Sequence, residues 1–156
     1  MRRPVKNRNI AKPDLKYQSE KVGKFINSIM ERGQKATATK VVYAAFDEIK
    51  RRDEKADPLE VFQTAITNVG PNMEIRSRRV GGANYQVPRE VRPERKQALA
   101  YRWIISAARS GKGRPMHMKL ADEIISAAKG EGSAVKKRDD VHKMAEANRA
   151  FAHFAW

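Results

Sequence analysis

Apolar side chains recur every three or four positions in six stretches of the chain, and each stretch predicts a helix packed by one face. In the first, Val22, Phe25, Ile26, Ile29 and Met30 follow Ser19 as N-cap, with Gly33 as the stop. The second covers residues 37–52, with Val42, Ala45, Phe46 and Ile49 inward. Ends are sharpest in the third. Asp57 caps it, Pro58 takes the first helical position, Glu60 completes a capping box and Gly70-Pro71 stops it. Its inward face is Leu59, Phe62, Ala65, Ile66 and Val69. After Arg92-Pro93 a fourth helix turns Ala98, Tyr101, Ile104, Ile105 and Ala108 inward. Residues 116–129 do the same with Leu120, Ala121, Ile124, Ile125 and Ala128, and residues 133–149 with Val141, Met144 and Ala145. Helices this short are marginal alone and must pack together. The pattern predicts a mainly α protein, a single bundle of about six helices.

Between the third and fourth helices, residues 73–91 read as a two-stranded β-hairpin. Arg76, Arg78 and Arg79 precede Gly81-Gly82, and Asn84 and Tyr85 follow. Two adjacent glycines accept the positive φ angles of a tight hairpin turn. A two-residue loop then sets Arg78 opposite Tyr85 and Arg76 opposite Val87, with Arg79 opposite Asn84 on the other side. Charge on both faces near the tip bars either from being a core face. The hairpin should protrude, with Met73, Ile75 and Val91 packing its base on the domain. Pro88 removes a ladder hydrogen bond, which an edge strand tolerates. Three segments follow: a basic N-terminal arm over residues 1–16, a helical domain over 17–149, and an aromatic tail over 150–156. In the arm, Arg2, Arg3, Lys6, Arg8, Lys12 and Lys16 face only Asp14, so it is expected to order only against a polyanion.

Charge turns this architecture into a binding protein. Lys and Arg number 33 against 18 Asp and Glu, a formal net charge of +15 on 156 residues. Solubility needs only a few net charges, and an excess this large attracts polyanions. Four clusters hold it: the arm; the hairpin with the start of the fourth helix (Arg76, Arg78, Arg79, Arg89, Arg92, Arg95, Lys96); the glycine loop (Arg109, Lys112, Arg114, Lys119); and the start of the sixth helix (Lys136, Lys137, Arg138). Arginine binds phosphate bidentately and stacks on bases, and Tyr85 offers a base a stacking surface. The three cations opening the sixth helix oppose its dipole unless a phosphate sits there. A protruding basic hairpin fits RNA read by shape and backbone better than a DNA groove.

Chemistry is otherwise sparse. The chain has no cysteine, which excludes disulfides, thiolate catalysis and the usual zinc sites. His117, His142 and His153 are isolated from one another, and His142 reads as a surface or satisfied structural histidine. Gly111-Lys112-Gly113 lacks the spacing of a nucleotide-binding P-loop. No catalytic residue, metal site or cofactor is expected. No apolar run nears the roughly 18 residues of a membrane span, and the start lacks a signal peptide, so a soluble cytoplasmic protein is expected. Two rival readings are a DNA-binding, chromatin-type protein and an enzyme acting on nucleic acid.

Longer motifs sharpen this. Lys24-Phe25-Ile26-Asn27, Ser77-Arg78-Arg79-Val80-Gly81-Gly82, Tyr85-Gln86-Val87-Pro88, Glu90-Val91-Arg92-Pro93, Ala134-Val135-Lys136-Lys137-Arg138 and Val141-His142-Lys143-Met144-Ala145-Glu146-Ala147-Asn148 run almost end to end. With them the chain resembles the bacterial small-subunit ribosomal protein seven family. The resemblance implies a primary binder of small-subunit ribosomal RNA, on the 3′ major domain, that nucleates assembly of the subunit head. It implies a hairpin (Arg79, Val80, Gly81, Gly82, Ala83, Asn84, Tyr85) near the exit-site tRNA and the messenger path. It makes Arg2, Arg3, Lys6, Arg8, Lys35, Arg76, Arg78, Arg79, Arg95, Lys96, Arg102, Lys112, Arg114, Lys136, Lys137 and Arg138 candidate RNA contacts. Neighbouring head and platform ribosomal proteins are implied partners, the latter for the aromatic tail. The match starts near Met1, so no cleaved targeting extension is expected; a cytoplasmic ribosome is the default and a plastid one is compatible. Two departures stand out: Gln34 replaces a lysine after Gly33, and Ala155 replaces a base common in the tail.

Overall fold

The computed structural model describes residues 11–54 and 56–154. Six α-helices carry the fold: α1 (Glu20–Ile29), α2 (Lys35–Arg52), α3 (Pro58–Val69), α4 (Pro93–Ser110), α5 (Met116–Ala128) and α6 (Ser133–Ala147). Strands β1 (Met73–Val80) and β2 (Ala83–Glu90) form an antiparallel hairpin between α3 and α4. A short 3-10 helix, Arg149–Phe154, closes the described chain.

Helix α5 packs on α2, α3, α4 and α6. Its buried face, Leu120, Ala121, Ile124 and Ala127, includes two alanines, which let neighbouring helices approach closely. A run of rings joins α1, α2, α3 and α4. Phe62 of α3 is fully buried, with centroids 4.9 Å from Phe25 of α1 and 5.4 Å from Phe46 of α2. Tyr101 of α4 closes on Phe25 at 5.3 Å. Asp57 caps α3 by accepting a hydrogen bond from the Leu59 N–H at 3.0 Å, and Pro58 sits at the first turn.

Several expectations shift. Helix α2 starts at Lys35, two positions before residue 37, which brings Ala38 into the core. Gly33 (φ 74°) lies in the turn after α1 rather than on its last residue, following Arg32, itself at φ 51°. Ala98 is exposed, whereas Leu99 and Ala100 of α4 are buried. Met144 is 47% exposed, because α6 is anchored through Ala134 and Val135 at its start and Ala145 near its end. Arg2, Arg3, Lys6 and Arg8 lie outside the described residues. The last part of the arm is already ordered by the domain itself. Asp14 is buried and accepts from the N–H groups of Lys16 (3.1 Å) and Tyr17 (2.8 Å) and from the Tyr43 hydroxyl (2.5 Å). Lys16 reaches Asp47 of α2 at 2.9 Å, and Tyr17 packs on Phe46 with centroids 5.2 Å apart.

The arm lies so close to α1 that a Cβ on Gly23 would run into the Lys12 carbonyl oxygen. Gly23→Ala gains about 1 kcal/mol of helix propensity but forces the arm away, an overpacking cost of about 1–3 kcal/mol. A lower thermal midpoint is expected, read by circular dichroism. Glu48 of α2 receives Arg51 at 2.8 Å and Arg52 at 2.9 Å, and these bonds hold its carboxyl below the usual range. A folded pKa lowered in this way stabilises the fold above the unfolded value and is lost as pH falls through the folded one. Glu48→Gln should therefore flatten the acid side of the stability profile and leave its alkaline side unchanged.

Candidate nucleic-acid interface

Gly81 (φ 56°) and Gly82 (φ 92°) are the whole hairpin loop, a geometry open to glycine and strained for a β-branched residue. The register follows from it: Arg79 pairs with Asn84, Arg78 with Tyr85 and Arg76 with Val87. Arg76, Ser77, Arg78 and Arg79 are exposed along β1.

The base is held by polar groups rather than by the expected Met73, Ile75 and Val91, which are only half-buried. Glu74 is the buried residue of β1. Its carboxylate accepts from Arg76 Nε at 3.1 Å and from Arg95 Nε of α4 at 3.2 Å. Asn72 makes three further ties. Its N–H donates to His142 Nε2 of α6 (3.0 Å), its carbonyl accepts from the Val91 N–H (2.9 Å), and its Oδ1 accepts from Lys96 Nζ (2.7 Å). His142 is thus a satisfied structural histidine at the surface. An unpaired carboxylate at position 74 would be too costly to bury; two guanidiniums make it a hinge pin.

On α4, Arg95, Arg102 and Arg109 recur every seven residues and so share one face, spanning about 21 Å at 1.5 Å per residue. Carboxylates hold both ends. Arg95 meets Glu74, and Arg109 meets Glu31 at 2.7 Å while also donating to the Ile29 carbonyl at 3.3 Å. Arg102, between them, has no ion pair among the described residues. It lines an open groove of about 850 Å³ between α1 and α4, with Lys24, Asn27, Ala98 and Arg109. Exposed Ala98 is what keeps this groove wide. Tyr101 forms its inner wall; burial raises its hydroxyl pKa, so it stays neutral.

The remaining candidates divide. Lys35, Arg79, Lys112, Lys136 and Lys137 are exposed, and their side-chain charges have no partner among the described residues. Arg114 is tied to Asp122 at 3.1 Å, and Asp122 also holds Arg52 of α2. Arg138 is turned into the fold, donating to Asp139 (2.6 Å) and to the Asn68 carbonyl of α3. At the start of α6, the Glu123 carboxylate of α5 accepts from the Ala134 N–H at 2.8 Å, so one N–H of the first turn is satisfied within the fold. Tyr85 is likewise not an open stacking surface. Its ring lies 5.2 Å from Phe151 and 5.3 Å from Phe154, centroid to centroid, so the tail covers it. Among the described residues no three His, Asp or Glu converge as metal ligands, and no helix is long and apolar enough to cross a membrane.

A sequence model of the family described as "Ribosomal protein S7p/S5e" matches residues 1–149. The chain belongs to the ribosomal protein S7p/S5e family. It is 59% identical over 144 residues to the small ribosomal subunit protein uS7 of Francisella tularensis subsp. holarctica (strain OSU18), covering 92% of both chains. Over the same length it is 58% identical to that of Francisella tularensis subsp. novicida (strain U112), again at 92% of both. Membership of the S7p/S5e family makes this a structural, RNA-binding ribosomal protein of translation and not an enzyme.

Within this S7p/S5e chain, sequence reading passed over Lys24, Asn72 and Glu74. Heptad spacing along α4 was the available signal for the groove. Nothing in a lone Glu among arginines marks it as buried. Glu74→Ala should leave helical circular dichroism intact while costing about 1–2 kcal/mol, because both arginines are substantially solvated. Faster amide exchange in β1 and β2 should accompany it.

Proposed function

We propose that this protein is a primary binder of small-subunit ribosomal RNA, on the 3′ major domain, that nucleates assembly of the subunit head on a bacterial cytoplasmic ribosome. Its hairpin would lie near the exit-site tRNA and the messenger path, with head and platform ribosomal proteins as neighbours. The observation that carries the reading is the arginine stripe of α4. It runs from the hairpin base into a groove wide enough to admit a phosphate backbone, and family membership supports it. Binding would proceed by phosphate neutralisation and counterion release plus shape fit, without catalysis.

The geometry ranks the contacts. Arg102, Lys35, Arg79, Lys112, Lys136 and Lys137 would meet phosphate directly, joined by Lys24 and by Arg78 near the tip. Arg76, Arg95 and Arg114 would bind while anchored by their carboxylates, which fixes their direction. Lys96 would act mainly through Asn72, and Arg138 mainly through α3. Arg2, Arg3, Lys6 and Arg8 stay candidates on charge alone.

Two substitutions separate these roles. Arg102→Ala should weaken binding to the isolated 3′ major domain and reduce the salt slope by about one, with the thermal midpoint unchanged. Arg138→Ala should chiefly lower the midpoint. Selective binding to the ribosomal domain over duplex DNA and an unrelated folded RNA, persisting at physiological salt, is the expected result for the parent chain. Equal and steeply salt-dependent binding to all three would defeat the proposal.

A further inference from the structure

Glu74, Arg76 and Arg78 occupy alternate positions of β1, so all three belong to one face of the hairpin. On α4, Arg95, Arg102 and Arg109 share one face, and Arg95 stands in the first turn, beside the hairpin base. Two cation rows on two elements therefore meet end to end. At their junction stands a buried acid, Glu74. Each of its oxygens takes one row: Oε1 accepts from Arg76 Nε at 3.1 Å, and Oε2 from Arg95 Nε at 3.2 Å. Both arginine side chains stay about half exposed, at 52% and 42%.

We infer that Glu74 is a positioning residue for RNA, whose carboxylate joins the arginines of β1 and α4 into one track for a single continuous phosphate backbone. The track runs Arg78, Arg76, Arg95, Arg102, Arg109. The proposal rests on the RNA-binding reading above and deepens it. Phosphates along a strand come at regular spacing, so a track must keep its spacing across the junction. Within each element the backbone does this: Arg76 and Arg78 stand about 7 Å apart along the strand, and each step on α4 rises about 10.5 Å.

Between the elements only side chains can set the spacing. Asn72 clamps the hairpin backbone to α6 and its own side chain to Lys96, and it touches neither arginine row. Glu74 alone bonds to both. By taking each guanidinium at Nε it fixes the two side chains relative to one another and leaves their Nη donors for phosphate. Nearness alone does not recruit a cation here. Arg89 lies directly across the ladder from Glu74 and makes no ion pair with it. Exposed Glu90, at the same end of the hairpin, has no ion pair among the described residues, which makes it a reference carboxylate.

The test measures binding of the full chain to the isolated 3′ major domain at matched salt. In Glu74→Gln the amide keeps one acceptor oxygen and turns an NH2 toward the second arginine, so it can hold only one row. The Asn72 clamp remains, and the hairpin stays folded. This substitution raises the net charge of +15 by one, which by simple electrostatics tightens binding to a polyanion. The track predicts the opposite sign, a loss of about tenfold. Glu90→Gln makes the same charge change and should bind equally well or tighter. Arg95→Ala should cost about tenfold in the parent chain and close to nothing in the Glu74→Gln background. Were Glu74 only a brace for the hairpin, Arg95 would keep its full cost, because α4 is held by Tyr101 and Ile104 in the core. Unchanged or tighter binding by Glu74→Gln, or an undiminished cost of Arg95→Ala, overturns the positioning role. Failure of the parent chain to bind the ribosomal domain would instead strike the broader RNA reading.

Discussion

Tyr101 sits against Phe25 and Phe62 in the centre of the bundle, and its hydroxyl donates to the Lys21 carbonyl of α1 at 2.9 Å. Gln97, one turn earlier on α4, donates to the same hydroxyl at 2.6 Å. The cationic surface depends on this contact. It fixes the rotation of α4 about its own axis, and that rotation decides which residues face outward. With Tyr101 inward, Ala98, Arg102 and Ile105 border the groove, and Lys24 of α1 comes to the other bank. A small rotation would bury the arginine stripe or replace exposed Ala98 with a larger side chain. Burial raises the phenol pKa, so the donor persists until strongly alkaline pH. By linkage, a raised tyrosine pKa favours the fold below the unfolded value and ceases to do so as pH climbs through the folded one.

Charge distribution follows a second rule. A net +15 repels itself in the free protein, yet its arginines are not scattered over solvent. Glu31, Glu74 and Asp122 each hold one or two of them in a defined direction. Partly exposed pairs of this kind add little stability. Their effect is geometric: a guanidinium held by one edge still offers its other donors, and its side chain is already ordered. Arg102 and the lysines of the glycine loop and α6 carry no such restraint. The cationic surface therefore combines a line of restrained arginines along α4 and β1 with unrestrained charges around it.

The fold was largely legible because its signals are local. Helical periodicity located all six helices, and Gly81-Gly82 set the hairpin register residue by residue. Failures came where a long-range partner decides. Glu74 is an acid on a basic strand, and Arg95, twenty-one positions later, joins Arg76 in the pairing that lets it be buried. Met144 has the apolar character of an inward residue, but α6 rests on the bundle through Ala134 and Val135. Tyr85 and the tail are far apart in sequence, so no periodicity could announce that Phe151 and Phe154 cover its ring. Arg138 and Lys136 look equivalent as letters; one faces α3 and the other faces water. Composition pointed to the class of partner, while the division between cations tied within the fold and cations left open to solvent required the packing.

A two-stranded hairpin is marginal on its own in water, and this one has arginine on both faces. Three supports make its order intelligible. The glycine pair removes turn strain at the tip, and the Asn72 and Glu74 ties clamp the base to α4 and α6. Midway, the tail lays two rings on Tyr85, each aromatic pair contributing about 0.5–1.5 kcal/mol beyond area burial. Only the third support is reversible without disturbing the core, because the 3-10 helix has no buried residue of its own. Hairpin stiffness is thus set at its midpoint by the far end of the chain.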